Sequence, residues 1–356
     1  MSIVEPGSTI GIVGGGQLGR MLAIAAAQLG YKCHVYAPDE TPPAAEVSAL
    51  FTRGDYDDEA ALARFGASVA VATYEFENIA AQPLDALAAE APLYPPRRAL
   101  EIAQDRLTEK EFVASLGGRP APFAPVSSRE ELDAALLRTG VPAILKTRRF
   151  GYDGKGQARI HSFDEADEAW ASMRGASSIL EGFIRFDAEF SILLCRSRSG
   201  ETVLWNAPRN RHLGGILDTS EAPAPPELAP AIAEARGLAE KVAEALDYVG
   251  VLTLEFFAGP DGAVFNEMAP RVHNSGHWTI EGALSSQFEN HIRAICCLPL
   301  GATELIVPRV RMKNLIGEDV ASWREIMADK TAHVHLYGKG EARPGRKMGH
   351  VTWLEG

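Results

Sequence analysis

A chain of 356 residues, 46% of them hydrophobic, is long enough for two or three domains of roughly 100 to 200 residues, each with its own core. A formal net charge of −12 with no long basic stripe excludes nucleic acid as the expected partner, because phosphate backbones are held by surplus Lys and Arg. The four cysteines lack the spacing of a zinc site or a secreted disulfide scaffold. No leader peptide or membrane-length apolar run is legible, so the expected setting is cytoplasmic.

Residues 9–13 read as a buried strand, followed by the glycine turn Gly14-Gly15-Gly16-Gln17-Leu18-Gly19 and a helix over 20–29. A helix N-terminus after glycines is an anion site. Gly14, Gly16 and Gly19 also match the dinucleotide fingerprint, with Asp39 about 20 residues on after a second strand at 32–36, so a nicotinamide oxidoreductase is a competing reading. A strand at 68–73 ends in Glu75 and Glu77, which could meet a substrate's amine or hydroxyls, or could merely favour a helix start. Prolines at 92–96 mark the first domain boundary.

Asp105 and Arg106 open a helix to about residue 116, and a second helix covers 129–137. The strand at 143–146 places Lys146 in an apolar run, where it needs an anionic partner. The loop that follows carries Gly151, Tyr152, Asp153, Gly154, Lys155, Gly156 and Gln157, a composition that folds over phosphates, although it lacks Walker spacing. Strands at 179–184 and 187–194 flank a linker suited to holding a flat base. Residues 206–215, with Arg209, Arg211 and His212, read as a polar loop, and an amphipathic helix with its apolar face from Ile232 to Leu246 follows.

Two apolar segments, 252–258 and 263–268, flank Pro260-Asp261-Gly262, which suits a three-residue turn with Gly262 in the left-handed position. That register sets Glu255 opposite Glu267, and two facing carboxylates are unfavourable unless a hard cation such as Mg²⁺ lies between them. Asn266 offers a neutral oxygen nearby. The next loop crowds Arg271, His273, Asn274, Ser275 and His277 together, a set suited to a small anion beside a metal. A helix over 287–297, strands at 333–337 and 350–354, and a cationic turn from Arg343 through Arg346 to Lys347 complete the chain.

The strings GGGQLGRM, DRLTEK, GYDGKGQ, EGFI, GGILDTS, NEMAPRVHNSGHW and RPGRKMGH resemble, over nearly the whole chain, the ATP-grasp ligases, and among them the N5-carboxyaminoimidazole ribonucleotide synthetases of purine biosynthesis. RVHNSGHW and RPGRK carry the narrower likeness. The resemblance implies an α/β and α+β architecture: a Rossmann-like domain at 1–104, an ATP-grasp domain at 105–300 with lobes at about 105–180 and 181–300, and a small β-rich domain at 301–356. It implies that Arg106, Lys146, Gly151 to Gln157, Glu181, Gly182, Phe183, Ile184, Glu189, His212, Asn266 and Glu267 surround ATP, and that Glu255 and Glu267 hold Mg²⁺.

Gln17, Leu18, Glu75, Arg346 and Lys347 are then the expected ribonucleotide contacts, and Arg271, His273, Asn274 and Lys347 the catalytic set. The implied reaction carboxylates 5-aminoimidazole ribonucleotide with bicarbonate and ATP through carboxyphosphate, in a homodimer using neither NAD nor biotin. A formate-using ligase, a biotin carboxylase and a non-catalytic nucleotide sensor are the remaining alternatives.

Overall fold

The computed structural model describes residues 2–149 and 156–356. The N-terminal part alternates strand and helix: β1 (Thr9–Val13), α1 (Gln17–Gln28), β2 (Lys32–Ala37), β3 (Leu50–Arg53), α2 (Glu59–Gly66), β4 (Val71–Tyr74), α3 (Leu84–Ala88) and α4 (Arg97–Ala103). The four strands are parallel in the order β3-β2-β1-β4. Strands covered on both faces read as continuous apolar runs, as β1 does. Strand order reverses beside β1, and open α/β sheets bind ligands outside the carboxyl ends at such a point. The strand expected from residue 68 begins at Val71, because Ser68 and Val69 finish the turn after α2 by donating to Phe65 and Gly66.

The next unit comprises α5 (Arg106–Ser115), β5 (Phe123–Val126), α6 (Arg129–Thr139), β6 (Ala143–Thr147), β7 (Gln157–Ile160), α7 (Ala166–Ser172) and β8 (Ser178–Gly182). Asp105 caps α5, accepting from the Leu107 and Thr108 amides at 3.1 and 3.3 Å. The antiparallel sheet β5-β8-β6-β7 packs on α6 and α7 through Leu132, Leu136, Leu145 and Leu180.

The larger unit contains β9 (Ala188–Arg196), β10 (Thr202–Leu204), β11 (Arg209–Leu213), β12 (Ile216–Ala222), α8 (Ala229–Ala245), β13 (Gly250–Gly259), β14 (Gly262–Ala269), α9 (Thr279–Gly282) and α10 (Gln287–Ile295). The chain then adds β15 (Arg309–Ile316), α11 (Trp323–Ala328), β16 (Ala332–Leu336) and β17 (Lys347–Glu355). One sheet runs through all of it in the order β14-β13-β9-β11-β12-β15-β17-β16, with β10 beside β9. The C-terminal strands therefore extend the sheet of the larger lobe.

One face of β9 and β13 carries Phe190, Ile192, Leu252, Leu254 and Phe256 against α8. Each such fully buried side chain contributes roughly 1.5 to 3 kcal/mol. The opposite face is apolar at one end, where Leu193, Cys195 and Val251 join the core with α10. At its other end it presents Glu189, Ser191 and Glu255, since alternate residues share a face.

Residues 206–215 are not a loop throughout, because Arg209–Leu213 forms β11 between β9 and β12. Its alternation is of buried and exposed polar residues, so hydrophobicity does not reveal it. The hairpin turn also differs. Gly259 pairs with Gly262, leaving Pro260-Asp261 as a two-residue loop, while Gly262 does take a φ of +97°. That slip alone would separate Glu255 from Glu267. The register is restored by a bulge: Phe256 faces Phe265, Glu255 faces Glu267, and Asn266 is the extra residue. Helix α5 fastens this bulge, with Lys110 donating to the Asn266 carbonyl at 3.0 Å and Glu109 accepting from the Met268 amide at 2.7 Å.

Candidate active site

The glycine turn after β1 is filled by Glu75. Its two carboxylate oxygens accept from the amides of Gly16 at 2.7 Å and Gly19 at 3.3 Å. A Cβ on Gly14 would lie 2.6 Å from the Glu75 side chain, so the glycine is there to admit a carboxylate from the neighbouring strand. Burial raises the Glu75 carboxyl, against the hydrogen bond from Gly16 and the charge of Arg271. A dinucleotide pyrophosphate at this turn would have to displace Glu75. Gln17 begins α1, whereas the Leu18 side chain is buried in the apolar core, so only its main chain is available to a ligand.

Between the two lobes, Glu181 lies 2.9 Å from Lys146 and 3.4 Å from Lys110. Burial alone would raise this carboxyl, but the two ammonium groups and Arg106 outweigh it and hold it at about 2. The same burial lowers Lys146, with Lys110 and Arg106 adding to the depression and Glu181 opposing it. Glu181 Oε1 is buried without a hydrogen-bond partner. The main chain at Gly182 and Phe183 donates to Pro122 and Pro142, at 2.8 and 3.1 Å, which ties the linker to the smaller lobe. Phe183 is exposed at the linker, and Ile184 is half-buried. Gln157 opens β7 opposite Lys146, and Gly156 takes a φ of +68°. Gly151, Tyr152, Asp153, Gly154 and Lys155 lie outside the described residues.

Across the cleft, His212 Nδ1 is 2.6 Å from Glu189. Burial would lower this imidazole, but the contact with Glu189 and the charge of Glu255 raise it. Glu267 pairs with Arg106 at 3.2 Å, and Glu255 with His273 Nε2 at 3.0 Å. Burial would raise Glu255, yet the hydrogen bond from His273 and the charges of His273, His212 and Lys347 bring it to about 2. Each of the facing acids of the hairpin thus has its own partner, Arg106 for Glu267 and His273 for Glu255.

Arg271 Nε forms an ion pair with Glu77, and its guanidinium also donates to the Val272 carbonyl at 3.0 Å. Burial works against both charges, but each outweighs it for the other: Arg271 is raised and Glu77 lowered. Glu77, left out of the expected site set in favour of Glu75, is the N-terminal domain's link to this loop. Asn274 is engaged in a reciprocal amide pair with Asn314, at 2.9 and 2.7 Å. Both its polar atoms are engaged there, and the pair anchors the loop to β15. Gln287 steadies the loop from α10, accepting from the His273 amide at 2.9 Å and donating to its carbonyl at 2.6 Å.

Lys347 begins β17, and its charge reaches Glu255. Arg346 donates to the Glu341 carbonyl at 3.0 Å, within its own turn. Sequence reasoning passed over Glu109 and Lys110, although both sit in the DRLTEK string. Glu and Lys on a helix ordinarily read as surface polarity, whereas here Lys110 is only 1% exposed.

The chain is similar over nearly its whole length to known proteins. The family described as ATP-grasp domain matches residues 111–288, the ribonucleotide synthetase preATP-grasp domain matches 7–104, and the phosphoribosylaminoimidazole carboxylase C-terminal domain matches 311–356. The N5-carboxyaminoimidazole ribonucleotide synthase of Brucella melitensis is 51% identical over 99% of this chain and 98% of its own. The crystal structure of the synthetase from Thermus thermophilus superposes with a TM-score of 0.91 at 48% identity, covering 97% of this chain and 93% of that one. The Aspergillus clavatus synthase, solved with ADP and 5-aminoimidazole ribonucleotide, gives a TM-score of 0.91 at 30% identity, over 98% and 94%. The chain belongs to the N5-carboxyaminoimidazole ribonucleotide synthase family of ATP-grasp ligases.

Proposed function

We propose that this chain carboxylates 5-aminoimidazole ribonucleotide with bicarbonate at the cost of ATP, giving N5-carboxyaminoimidazole ribonucleotide, ADP and phosphate. The observation that carries the reading is the Glu255–Glu267 pair on one sheet face, met by Arg106, His212 and His273. ATP fits between the lobes, with its phosphates toward Lys146 and Arg106. The unpartnered Glu181 Oε1 faces an adenine amine, Gly182 to Ile184 border the base, and Glu189 with His212 borders the ribose. Asn266 and Glu267 close the triphosphate end.

Among the described residues no three His, Cys, Asp or Glu side chains are grouped to hold a metal by themselves. Two anionic carboxylates on one face fit Mg²⁺, which commonly takes its remaining ligands from phosphate and water. Bound there, Mg²⁺ would neutralise charge on the transferring phosphoryl group.

In the first step a bicarbonate oxygen attacks the γ-phosphorus, the bond to the β-phosphate oxygen breaks, and ADP leaves. The exocyclic amine of the ribonucleotide then takes the carboxyl group, releasing phosphate and losing one proton. Arg271, fixed by Glu77, places a positive charge where the carbonate oxygens gain negative charge, and Lys347 adds a second. Gln17, the Leu18 main chain and the Arg346–Lys347 turn border the ribonucleotide, and Glu75 shapes the glycine turn around it. We place the enzyme in the cytoplasm as a homodimer acting on diffusible substrates, which light scattering of the purified protein tests for the oligomer.

The reading is tested by ADP release with each candidate acceptor. Stimulation by 5-aminoimidazole ribonucleotide with bicarbonate, but not by glycinamide ribonucleotide with formate, is the expected result.

A further inference from the structure

Behind His273 runs a line of buried hydroxyl and amide groups that the reaction does not touch. Ser220 Oγ on β12 donates to Asn210 Oδ1 at 2.8 Å, and Asn210 Nδ2 on β11 donates to Ser191 Oγ at 2.9 Å. Ser191 on β9 donates to Ser275 Oγ at 2.7 Å, and Ser275 Oγ lies 2.9 Å from His273 Nδ1. The three serines are fully buried and Asn210 is 5% exposed, so water does not compete for these bonds. The sheet makes the line possible. Asn210 and Ser220 are directly paired, and Ser191 is directly paired with Glu255, all on the face that carries the hairpin acids.

Each hydroxyl has one proton, which gives the line a direction. Ser191 accepts from Asn210, so its proton goes to Ser275; Ser275 accepts from Ser191, so its own proton goes to His273 Nδ1. An independent donor agrees: the Ser275 main-chain N–H points at the same Nδ1 at 3.3 Å, and a main-chain amide cannot reverse. Nδ1 is therefore an acceptor. The ring proton resides on Nε2, 3.0 Å from Glu255.

We propose that Ser275, Ser191, Asn210 and Ser220 are positioning residues that lock His273 in its Nε2–H tautomer, making it a fixed hydrogen-bond donor to Glu255. The proposal rests on the reading of Glu255 and His273 as part of the active site. His273 then holds the hairpin acid in place by one oxygen and leaves the other for a cation. Partners of this kind, standing behind a ligand-binding group, typically cost 10- to 100-fold in activity when lost.

The test is a nitrogen-15 NMR spectrum of the substrate-free protein, labelled at its nine histidines, with His273 assigned by comparison with His273→Asn. It is recorded near pH 8, well above the ordinary histidine pKa of about 6.5. Wild type is expected to show Nε2–H at His273. Asn210→Asp keeps the shape but offers only acceptors, so Ser191 turns to it and Ser275 turns to Ser191, leaving the main-chain amide as the one donor to Nδ1, and an Nδ1–H population is expected to appear. Asn210→Leu, which cuts the line, is expected to add an Nδ1–H population. In a folded Asp variant kcat should fall about 10-fold or more, with KM for ATP little changed. An Nδ1–H ring in wild type, or a His273 spectrum unaltered in both folded variants, overturns the proposal. The spectra require no turnover, so failure of the functional reading would appear separately, as ADP release indifferent to the ribonucleotide.

Discussion

At the scale of single residues, the site is a set of charges that burial alone would not tolerate. Glu181 illustrates it, since the carboxyl is held at about 2 against burial by two lysines and an arginine. A depressed carboxyl contributes stability that is present above its ordinary value of 4.5 and is lost as pH falls toward about 2. Glu181→Gln should therefore unfold with a shallower dependence on pH across that window, as thermal melts at a series of pH values would show. Near neutrality the variant should be less stable by about 3 to 5 kcal/mol, because Lys146 and Lys110 lose their counter-charge. Arg271 differs, being paired with Glu77 and placed for charge that develops during reaction. Arg271→Ala should lower kcat by about 100-fold or more with bicarbonate and the ribonucleotide. A near-normal rate would remove Arg271 from the chemistry.

At the scale of elements, α5 is the piece on which the site depends. It carries Arg106 to Glu267, Lys110 to the bulge at Asn266 and Glu109 to Met268, and Asp105 caps it while pairing with Arg148 at 2.9 Å. Asp105→Ala loses both cap and ion pair and should destabilise the protein by about 3 kcal/mol, whereas Asp105→Asn keeps an acceptor for the amides and should cost about half as much. Chemical denaturation of the two variants distinguishes the contributions. The hairpin shows what sequence does and does not convey. The Glu255–Glu267 pairing was legible from two apolar flanks and a glycine turn, but it arises from a shorter turn and a compensating bulge. Turn residues restrict a hairpin locally, while the bulge is fixed by Lys110 and Glu109 on a helix more than 150 residues earlier. Likewise the glycine turn was legible, but its occupant, Glu75, comes from another strand. Strand β11 was hidden because its alternation is between polar residues that differ only in burial.

At the scale of the whole molecule, one nine-stranded sheet carries the acids at its β14 edge and receives the C-terminal strands at the other. The Asn274–Asn314 amide pair fastens the active-site loop to β15, and β12 pairs directly with β15. Calorimetry should accordingly show the larger lobe and residues 309–356 melting in one transition, and a chain ended before Arg309 should expose the β12 edge and lose the lobe's stability. A separate, reversible C-terminal transition would contradict this. The molecule as a whole brings Glu77 from the N-terminal part to Arg271 just beyond the hairpin, Arg106 from α5 to Glu267, and the charge of Lys347 from β17 to Glu255. The measurement that tests this convergence most directly is ADP release from MgATP and bicarbonate, with and without 5-aminoimidazole ribonucleotide. Strong stimulation by the ribonucleotide, with product carrying the bicarbonate carbon, is predicted. ADP release that ignores it, or that responds instead to glycinamide ribonucleotide with formate, would contradict the account.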